Sequence, residues 1–148
     1  MKRPETILAE SQNYCLGGHY ECGYMVDKRN GQDIYIGDCY CDVKLGVIDK
    51  DENWALLFGH YDFYLWLPTQ TQVESLHDTL PKYERLFQST YDIRQVSDFE
   101  VEILEDFRLN KKPGIYSFNI KTRVVKRVRN FKKLDIRFAP YYYPKVDW

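Results

Sequence analysis

The feature that most constrains the fold of this 148-residue chain is a succession of short apolar and aromatic runs separated by turn residues. Residues 24–26 and 34–36 are two such runs, and Asn30-Gly31 between them favours the positive φ angles of a tight turn. By the same reasoning, strands are predicted at residues 39–48, 54–58, 61–67, 99–103, 115–120 and 123–128. Strands that follow one another through short turns favour an antiparallel meander.

The segment 71–88 is predicted to be a helix because its apolar residues recur every three or four positions. The residues that would share this apolar face are Val73, Leu76, Leu80, Tyr83 and Phe87. Thr71 and Glu74 have the spacing of a capping box, which satisfies backbone N–H groups at a helix start. Pro81 predicts an interruption, since proline lacks the N–H that the preceding turn requires.

A short N-terminal helix is also predicted, at residues 4–16, because Pro4 favours a first helical position and Gly17-Gly18 favours a stop. The sequence therefore predicts an α+β fold: a mainly antiparallel sheet of about seven to eight strands with one principal, proline-interrupted helix. At 148 residues and 44% hydrophobic content, the chain is predicted to form a single globular domain over 1–148.

The N-terminal residues predict a cytoplasmic protein. Pro4, Glu5 and Glu10 interrupt the apolar core that a signal peptide would need, and the sequence contains no run of 18 apolar residues. We therefore expect no membrane segment, and we expect the four cysteines to be reduced thiols. The oligomeric state is left open by these observations.

Charge is divided along the chain. Residues 108–137 contain eleven Lys/Arg and one acid, whereas residues 21–106 contain eighteen Asp/Glu and seven Lys/Arg. The basic segment is typical of a phosphate-binding stripe, which gives a nucleic-acid-binding protein as an alternative function. Its candidate contact residues are Lys126, Arg127, Arg129, Lys132 and Lys133. Glu100 and Glu102 lie on a neighbouring predicted strand, and ion pairs with them would neutralise the basic strands without any ligand, so nucleic acid is not the preferred partner.

The cysteines and histidines raise a second alternative, a small metal-dependent or cysteine enzyme. The soft-metal ligand types near the N-terminus are Cys15, His19, Cys22, Cys39 and Cys41. Their spacing does not match that of a structural zinc site, in which paired ligands lie two to four residues apart in tight turns. No catalytic residue, metal or cofactor is therefore predicted, and buried thiols are the preferred interpretation.

The acidic, aromatic segment 27–62 is the preferred binding surface. Tyrosine supplies rigid contact area, and acids around it would attract a basic partner. The predicted partner-binding residues are Asp49, Asp51, Glu52, Tyr61, Asp62 and Tyr64.

The hairpin at residues 46–58, followed by residues 61–66, resembles strand pairs of small bacterial immunity proteins that neutralise toxins. This resemblance implies a non-enzymatic, cytoplasmic binder that blocks the active site or docking surface of its cognate toxin. The acidic segment adds the expectation that the toxin domain presents a basic surface. The sequence therefore predicts a protein-binding module of the immunity type.

Overall fold

A computed structural model of the chain describes residues 3–40, 42–70, 72–79, 90–105, 114–130 and 148. The chain divides into two compact units, Met1–Gln88 and Ser89–Trp148. The described residues form twelve strands, arranged as three four-stranded antiparallel sheets. The architecture is all-β, so the prediction of an α+β fold is wrong. The prediction of one domain over 1–148 stays a prediction.

The first sheet contains four consecutive strands in the order in which they occur in the chain. They are β1 (Thr6–Glu10), β2 (Tyr14–His19), β3 (Cys22–Asp27) and β4 (Gln32–Asp38). The register places Leu16 opposite Met25 and Met25 opposite Ile34. Side chains directly opposite each other share one face of a sheet, so these three form an apolar face.

The second sheet repeats this order with shorter strands. It contains β5 (Leu45–Ile48), β6 (Ala55–Phe58), β7 (Phe63–Trp66) and β8 (Glu74–Ser75), followed by the helical turn α1 (Leu76–Thr79). One buried cluster includes Leu16 and Met25 of the first sheet with Leu57 and Trp66 of the second. The ring of Trp66 packs edge-on against Tyr14 at 5.1 Å between centroids. The two sheets of the first unit therefore share one core.

The second unit is built on the third sheet. Its strands are β9 (Thr90–Ser97), β10 (Glu100–Glu105), β11 (Gly114–Asn119) and β12 (Val125–Asn130), with β9 and β12 at the edges. Val101 and Phe118 lie opposite each other and are fully buried. Glu105 is also fully buried, and it accepts a hydrogen bond of 2.6 Å from the hydroxyl of Thr90. A carboxyl group rarely lies in a protein core without a hydrogen-bond partner, and Thr90 supplies that partner here.

The structure contradicts the N-terminal helix prediction and the start of the second helix prediction. Residues 4–16 contain strand β1 and the first part of β2. The predicted helix 71–88 begins instead with β8, whose Glu74 and Ser75 pair with Leu65 and Tyr64 of β7. Only α1, four residues long, is helical among the described residues, and Leu80, Pro81, Tyr83 and Phe87 lie outside them.

The predicted hairpin of residues 24–36 is confirmed as β3 and β4, although its turn differs from the expected one. Residues 28–31 join the strands, and only Gly31 of this turn has a positive φ, of 73°. The turn between β11 and β12 has the same construction. In the first turn the carbonyl of Asp27 accepts the backbone N–H of Gly31, four residues later. In the second turn the carbonyl of Asn119 accepts the backbone N–H of Arg123, also four residues later. Arg123 also has a positive φ, of 62°.

Each sheet has the up-and-down order of four strands from which β-propeller blades are built. A four-stranded sheet of this kind buries its apolar face only against another element, as the first two sheets do in their shared core. The three sheets therefore form a structural repeat that is not evident from the amino-acid sequence.

Candidate binding surface

The turns of the first unit lie alternately at two ends of its sheets, because successive strands run in opposite directions. We call residues 20–21, 39–40, 42–44 and 59–62 the upper loops, and residues 11–13, 28–31 and 49–53 the lower loops. The two groups differ in what their side chains do. The upper loops present exposed aromatic rings, whereas the lower loops use their charged groups to hold the sheets together.

Backbone hydrogen bonds connect the upper loops to one another. The N–H of Cys39 donates to the carbonyl of Glu21 at 2.6 Å. The next N–H, that of Tyr40, donates to the Asp62 carboxylate at 2.8 Å. Asp62 also accepts, through its own carbonyl, the N–H of Gly59. These bonds fix three loops from different parts of the sequence as one continuous end of the unit.

Three tyrosines project from these connected loops into solvent. Tyr20 is 75% exposed, Tyr40 is 67% exposed and Tyr61 is 46% exposed. The rings of Tyr40 and Tyr61 contact each other in a tilted arrangement with centroids 5.6 Å apart, and the His19 ring packs against Tyr20 at 4.5 Å. Tyrosine rings bring large contact area at low entropy cost, and clusters of exposed aromatic residues mark recognition surfaces.

Tyr20 also has an unfavourable backbone conformation. It is the first residue of the two-residue turn between β2 and β3, and its φ is 51°. Glycine is favoured at this position because a side chain in the left-handed region costs about 1 kcal/mol. A bulky residue with this geometry points to a role for its side chain outside the fold.

His77 organises the β6–β7 loop, which is one of the upper loops. The ring of His77 accepts the N–H of Phe63 at Nδ1, at 3.3 Å, so its proton is assigned to Nε2. The Ser75 hydroxyl lies 3.2 Å from Nδ1 and 3.3 Å from Nε2, and an Asp62 oxygen lies 3.8 Å from Nε2. In a catalytic triad the carboxylate faces one ring nitrogen and the serine faces the other, which accepts no backbone N–H. In His77 the serine lies beside both nitrogens, and Nδ1 accepts the N–H of Phe63. This arrangement positions the β6–β7 loop rather than activating a serine.

The thiols near the upper loops are protonated at neutral pH. Burial, followed by the charge of Asp62, raises the pKa of Cys39 to about 12. Burial and the charge of Asp38 likewise raise the pKa of Cys22. A nucleophilic cysteine requires the opposite shift. Cys15, Cys22 and Cys39 form no disulfide, and Cys41 lies outside the described residues.

The six predicted partner-binding residues do not form one patch. Tyr61 and Asp62 lie in the upper loops, whereas Asp49, Asp51 and Glu52 lie in a lower loop at the opposite end of β6. Tyr64 is half-buried, and its hydroxyl donates to the Asp38 carbonyl at 2.5 Å, joining the two sheets. Burial raises its pKa.

The lower acids mostly have structural partners. Asp49 is 1% exposed, and its carboxylate accepts the N–H of Asn53 at 3.0 Å. Glu52 accepts both the backbone N–H and the side-chain amide of Asn13, each at 2.8 Å, which joins the second sheet to the first. Asp51 is exposed. The binding role assigned to these residues stays a prediction, although two of the three have structural roles.

Sequence reasoning did not select Tyr20 and Tyr40 as binding residues. The sequence interpretation places Tyr20 after a predicted helix, because Gly17-Gly18 is taken as a helix stop and not as part of a strand. Glycine pairs occur in strands where another chain segment comes close, and here an added Cβ at Gly17 would lie 2.7 Å from Pro4. Assigning residues 14–27 as a hairpin would have placed Tyr20 at its turn.

We expect unfolding to become easier in acid because of the lower loops. A hydrogen bond from Lys28 lowers the pKa of Glu10, and one from Arg29 lowers that of Asp27. For Glu52, burial would raise the pKa, but hydrogen bonds from Asn13 and Ser11 outweigh it and the pKa is lowered. Carboxylates with lowered pKa stabilise the fold above their unfolded pKa and lose this effect as the pH falls through the folded pKa. The melting temperature should therefore fall between about pH 5 and about pH 2.

Thermal melts of the wild type and of Glu52→Gln test this expectation. The variant should show a shallower fall of melting temperature with pH, because it removes one of the titrating groups. Asp51→Asn removes an acid from the same turn without touching the hydrogen bonds of Glu52, and serves as the matched control. A melting temperature that is constant from pH 5 to about pH 2 would contradict the role of these carboxylates.

The basic strand β12 lies at an edge of the third sheet. Arg127 donates to the hydroxyl of Tyr116 at 3.0 Å, and Arg129 lies 3.5 Å from the Glu102 carboxylate. Arg94 pairs with the same carboxylate at 2.7 Å. Lys126 is exposed, and Lys132 and Lys133 lie outside the described residues. Positive charge on an edge strand also discourages pairing with another chain, which explains this strand without a nucleic-acid ligand.

Two further kinds of feature are absent from the described part of the chain. No group of three or more His, Cys, Asp or Glu in it is arranged to hold a metal ion. None of its helices has the length and apolar character needed to span a membrane.

Comparison with known proteins finds a similarity of fold and none of sequence family. No protein-family model and no curated protein match the chain. A solved structure, the crystal structure of the tricorn protease, matches 84% of this chain with a TM-score of 0.54 and 9% sequence identity. The chain spans 13% of the length of that protein's chain. At this identity the likeness shows a shared fold of β-sheets alone.

Proposed function

We propose that this chain is a non-enzymatic protein-binding module and that the upper loops of its first unit form the recognition surface. The observation that carries the proposal is the group of three exposed tyrosines on three loops connected by hydrogen bonds. Hot spots of protein interfaces are enriched in tyrosine. A rigid arrangement also lowers the entropy cost of binding.

The charge around these tyrosines supports a basic partner. The upper loops and the residues beside them carry four acids, Glu21, Asp38, Asp42 and Asp62, and one lysine, Lys44. Burial, followed by the charge of Lys44, lowers the pKa of His60, so this histidine adds no positive charge at neutral pH. Acidic groups at an interface accelerate association with a basic protein. A toxin domain with a basic surface, the partner class implied by the sequence resemblance, fits this description.

The nucleic-acid alternative has less support. The guanidinium groups of Arg127 and Arg129 have protein partners, and the exposed tyrosines of the described residues all belong to the first unit. An enzyme with a cysteine nucleophile is disfavoured by the raised pKa of Cys39 and Cys22.

Hydrogen exchange with a bound partner tests the location of the surface. The full chain would be used to capture its partner from the native host, and amide exchange would be compared in the free and bound states. Protection is expected at residues 20–21, 39–44 and 59–62, with no change at residues 49–53. Protection confined to residues 49–53 or to β12 would contradict the proposal, because residues 49–53 lie at the other end of the first unit and β12 contains none of the three tyrosines.

A further inference from the structure

A groove of about 530 Å³ lies on the face of the first sheet that points away from the shared core. Its floor contains Tyr24 and Tyr35, which are direct partners on β3 and β4. Further lining residues are Arg3, Glu5, His19, Cys22 and Asp33. The volume is within the range of small-molecule and side-chain binding sites, about 300–1,000 Å³.

The groove owes one wall to a glycine. Gly17 lies beside Tyr24 in the register, and a Cβ at Gly17 would come within 2.0 Å of the Thr6 carbonyl and 2.7 Å of Pro4. The missing side chain lets residues 3–5 lie against the sheet. Arg3 and Glu5 thereby line the groove together with the two tyrosines.

The groups that line the groove favour a positively charged occupant. Asp33 is exposed, and its carboxylate has no ion-pair partner among the described residues. Burial, followed by the charges of Asp33 and Glu5, raises the pKa of Tyr24, so both carboxylates act on the same ring. A hydrogen bond with Asp38, followed by burial, raises the pKa of Tyr35 to about 12, which keeps that ring neutral. Tyrosine faces attract cations, and nearby carboxylates strengthen this attraction.

The positive groups at the groove are already engaged. Arg3 donates to Glu10 at 2.8 Å, and Nδ1 of His19 lies 2.9 Å from the Glu5 carboxylate. This contact orients the Glu5 carboxylate at the groove. His19 also contacts the ring of Tyr20, so the groove continues into the upper loops.

We propose that this groove receives a basic side chain, a lysine or arginine, of the protein partner. The occupant would place its cation against the rings of Tyr24 and Tyr35 and between the carboxylates of Glu5 and Asp33. This inference rests on the proposed protein-binding function and adds to it the chemistry of one contact. The partner would thus combine a surface that packs on the exposed tyrosines with a basic residue beside it.

Small analogues of these side chains test the groove without the partner. Backbone amide NMR shifts of the full chain would be followed during titration with n-butylammonium or n-propylguanidinium at constant ionic strength. At least one cation should bind saturably, with a dissociation constant in about the millimolar range. The affected amides should include those of Tyr24, Asp33 and Tyr35. Neutral n-butanol should bind at least about threefold more weakly, because it lacks the charge.

Variants connect the binding to these residues. Asp33→Asn and Tyr24→Leu should each weaken cation binding about threefold, since each removes one attractive group. Asp33 is exposed, so its variant should fold normally. Asp51→Asn, which removes an exposed acid at the opposite end of the unit, should leave the affinity unchanged.

Three outcomes would overturn the proposal. The first is n-butyrate binding as tightly as n-butylammonium, which would show that Arg3 and His19 dominate the groove. The second is no saturable shift up to about 100 mM of either cation. The third is equal cation affinity in the wild type and in Asp33→Asn. Protection of the upper loops by a captured partner would then still support the binding function, so failure of the two proposals can be told apart.

Discussion

Replacing Tyr20, Tyr40 and Tyr61 together by alanine is expected to weaken partner binding by at least about 100-fold. Hot-spot aromatic residues contribute about 2 kcal/mol or more each on truncation, and their effects are not additive, so about 3 kcal/mol is a conservative total. The loss should appear mainly as faster dissociation, because aromatic anchors stabilise the docked complex. Association and dissociation rates with the captured partner, measured on a biosensor, would show it.

The matched control for this variant is Asp51→Ala, which truncates an exposed residue at the other end of the same unit. It should change the affinity by less than about threefold. Tyr20→Gly provides a second check, since the positive φ of 51° suits glycine. This variant should be at least as stable as the wild type while binding the partner more weakly. An affinity that stays within about threefold of the wild type in the triple variant would place recognition elsewhere.

Trp54→Ala is expected to lower the free energy of unfolding by about 3–5 kcal/mol. Trp54 is fully buried, so the change removes a large apolar contact area and leaves a cavity. The residue also precedes β6, and its carbonyl accepts the N–H of Asp49 at 2.9 Å, so its placement helps to close the β5–β6 turn. Urea denaturation followed by circular dichroism measures the effect.

Tyr61→Ala is the matched control, because it truncates an aromatic residue that is 46% exposed in the next loop. Its effect on unfolding should be about 0.5 kcal/mol or less. A loss below about 1 kcal/mol in Trp54→Ala would show that this side chain is not part of a packed core.

The strands and turns were the most predictable part of this fold. Residues 54–58 and 61–67 were recognised as strands because their apolar and aromatic residues favour a pleated, buried surface, and they form β6 and β7. The sequence predicts one strand over residues 39–48, but among the described residues of this range only Leu45–Ile48 is a strand, since residues 39–40 and 42–44 belong to the upper loops. The local pattern of apolar residues thus locates strand segments more accurately than it locates the ends of the strands.

The predicted helix at residues 71–88 is wrong at residues 74–75 for a tertiary reason, whereas residues 76–79 are helical as predicted. The spacing of Val73 and Leu76 suits one face of a helix, yet a two-residue strand that pairs with β7 lies between them, and the buried Leu76 begins α1. Pairing with the open edge of β7 satisfies backbone groups that a helix would satisfy internally. That edge exists only in the assembled sheet, so the spacing of apolar residues along the chain carries no information about it.

The candidate surface was only partly predictable from composition. Tyr61 and Asp62 were selected correctly as neighbours, because they are adjacent in sequence. Asp49 and Glu52 were grouped with them although β6 separates the two turns. Their acidic character gave no indication that Asn53 and Asn13 would engage them as hydrogen-bond donors.

The order of the strands has a consequence for folding kinetics. Every pairing in the three sheets joins strands that are consecutive in the chain. The loops that must close before these pairs form are therefore shorter than in a Greek-key sandwich, where distant strands must meet first. Low contact order accelerates the search for the native topology. Strand pairing in each sheet should consequently begin at the sheet's own turns and spread along the strands. Folding should therefore be faster than is usual for an all-β chain of this length.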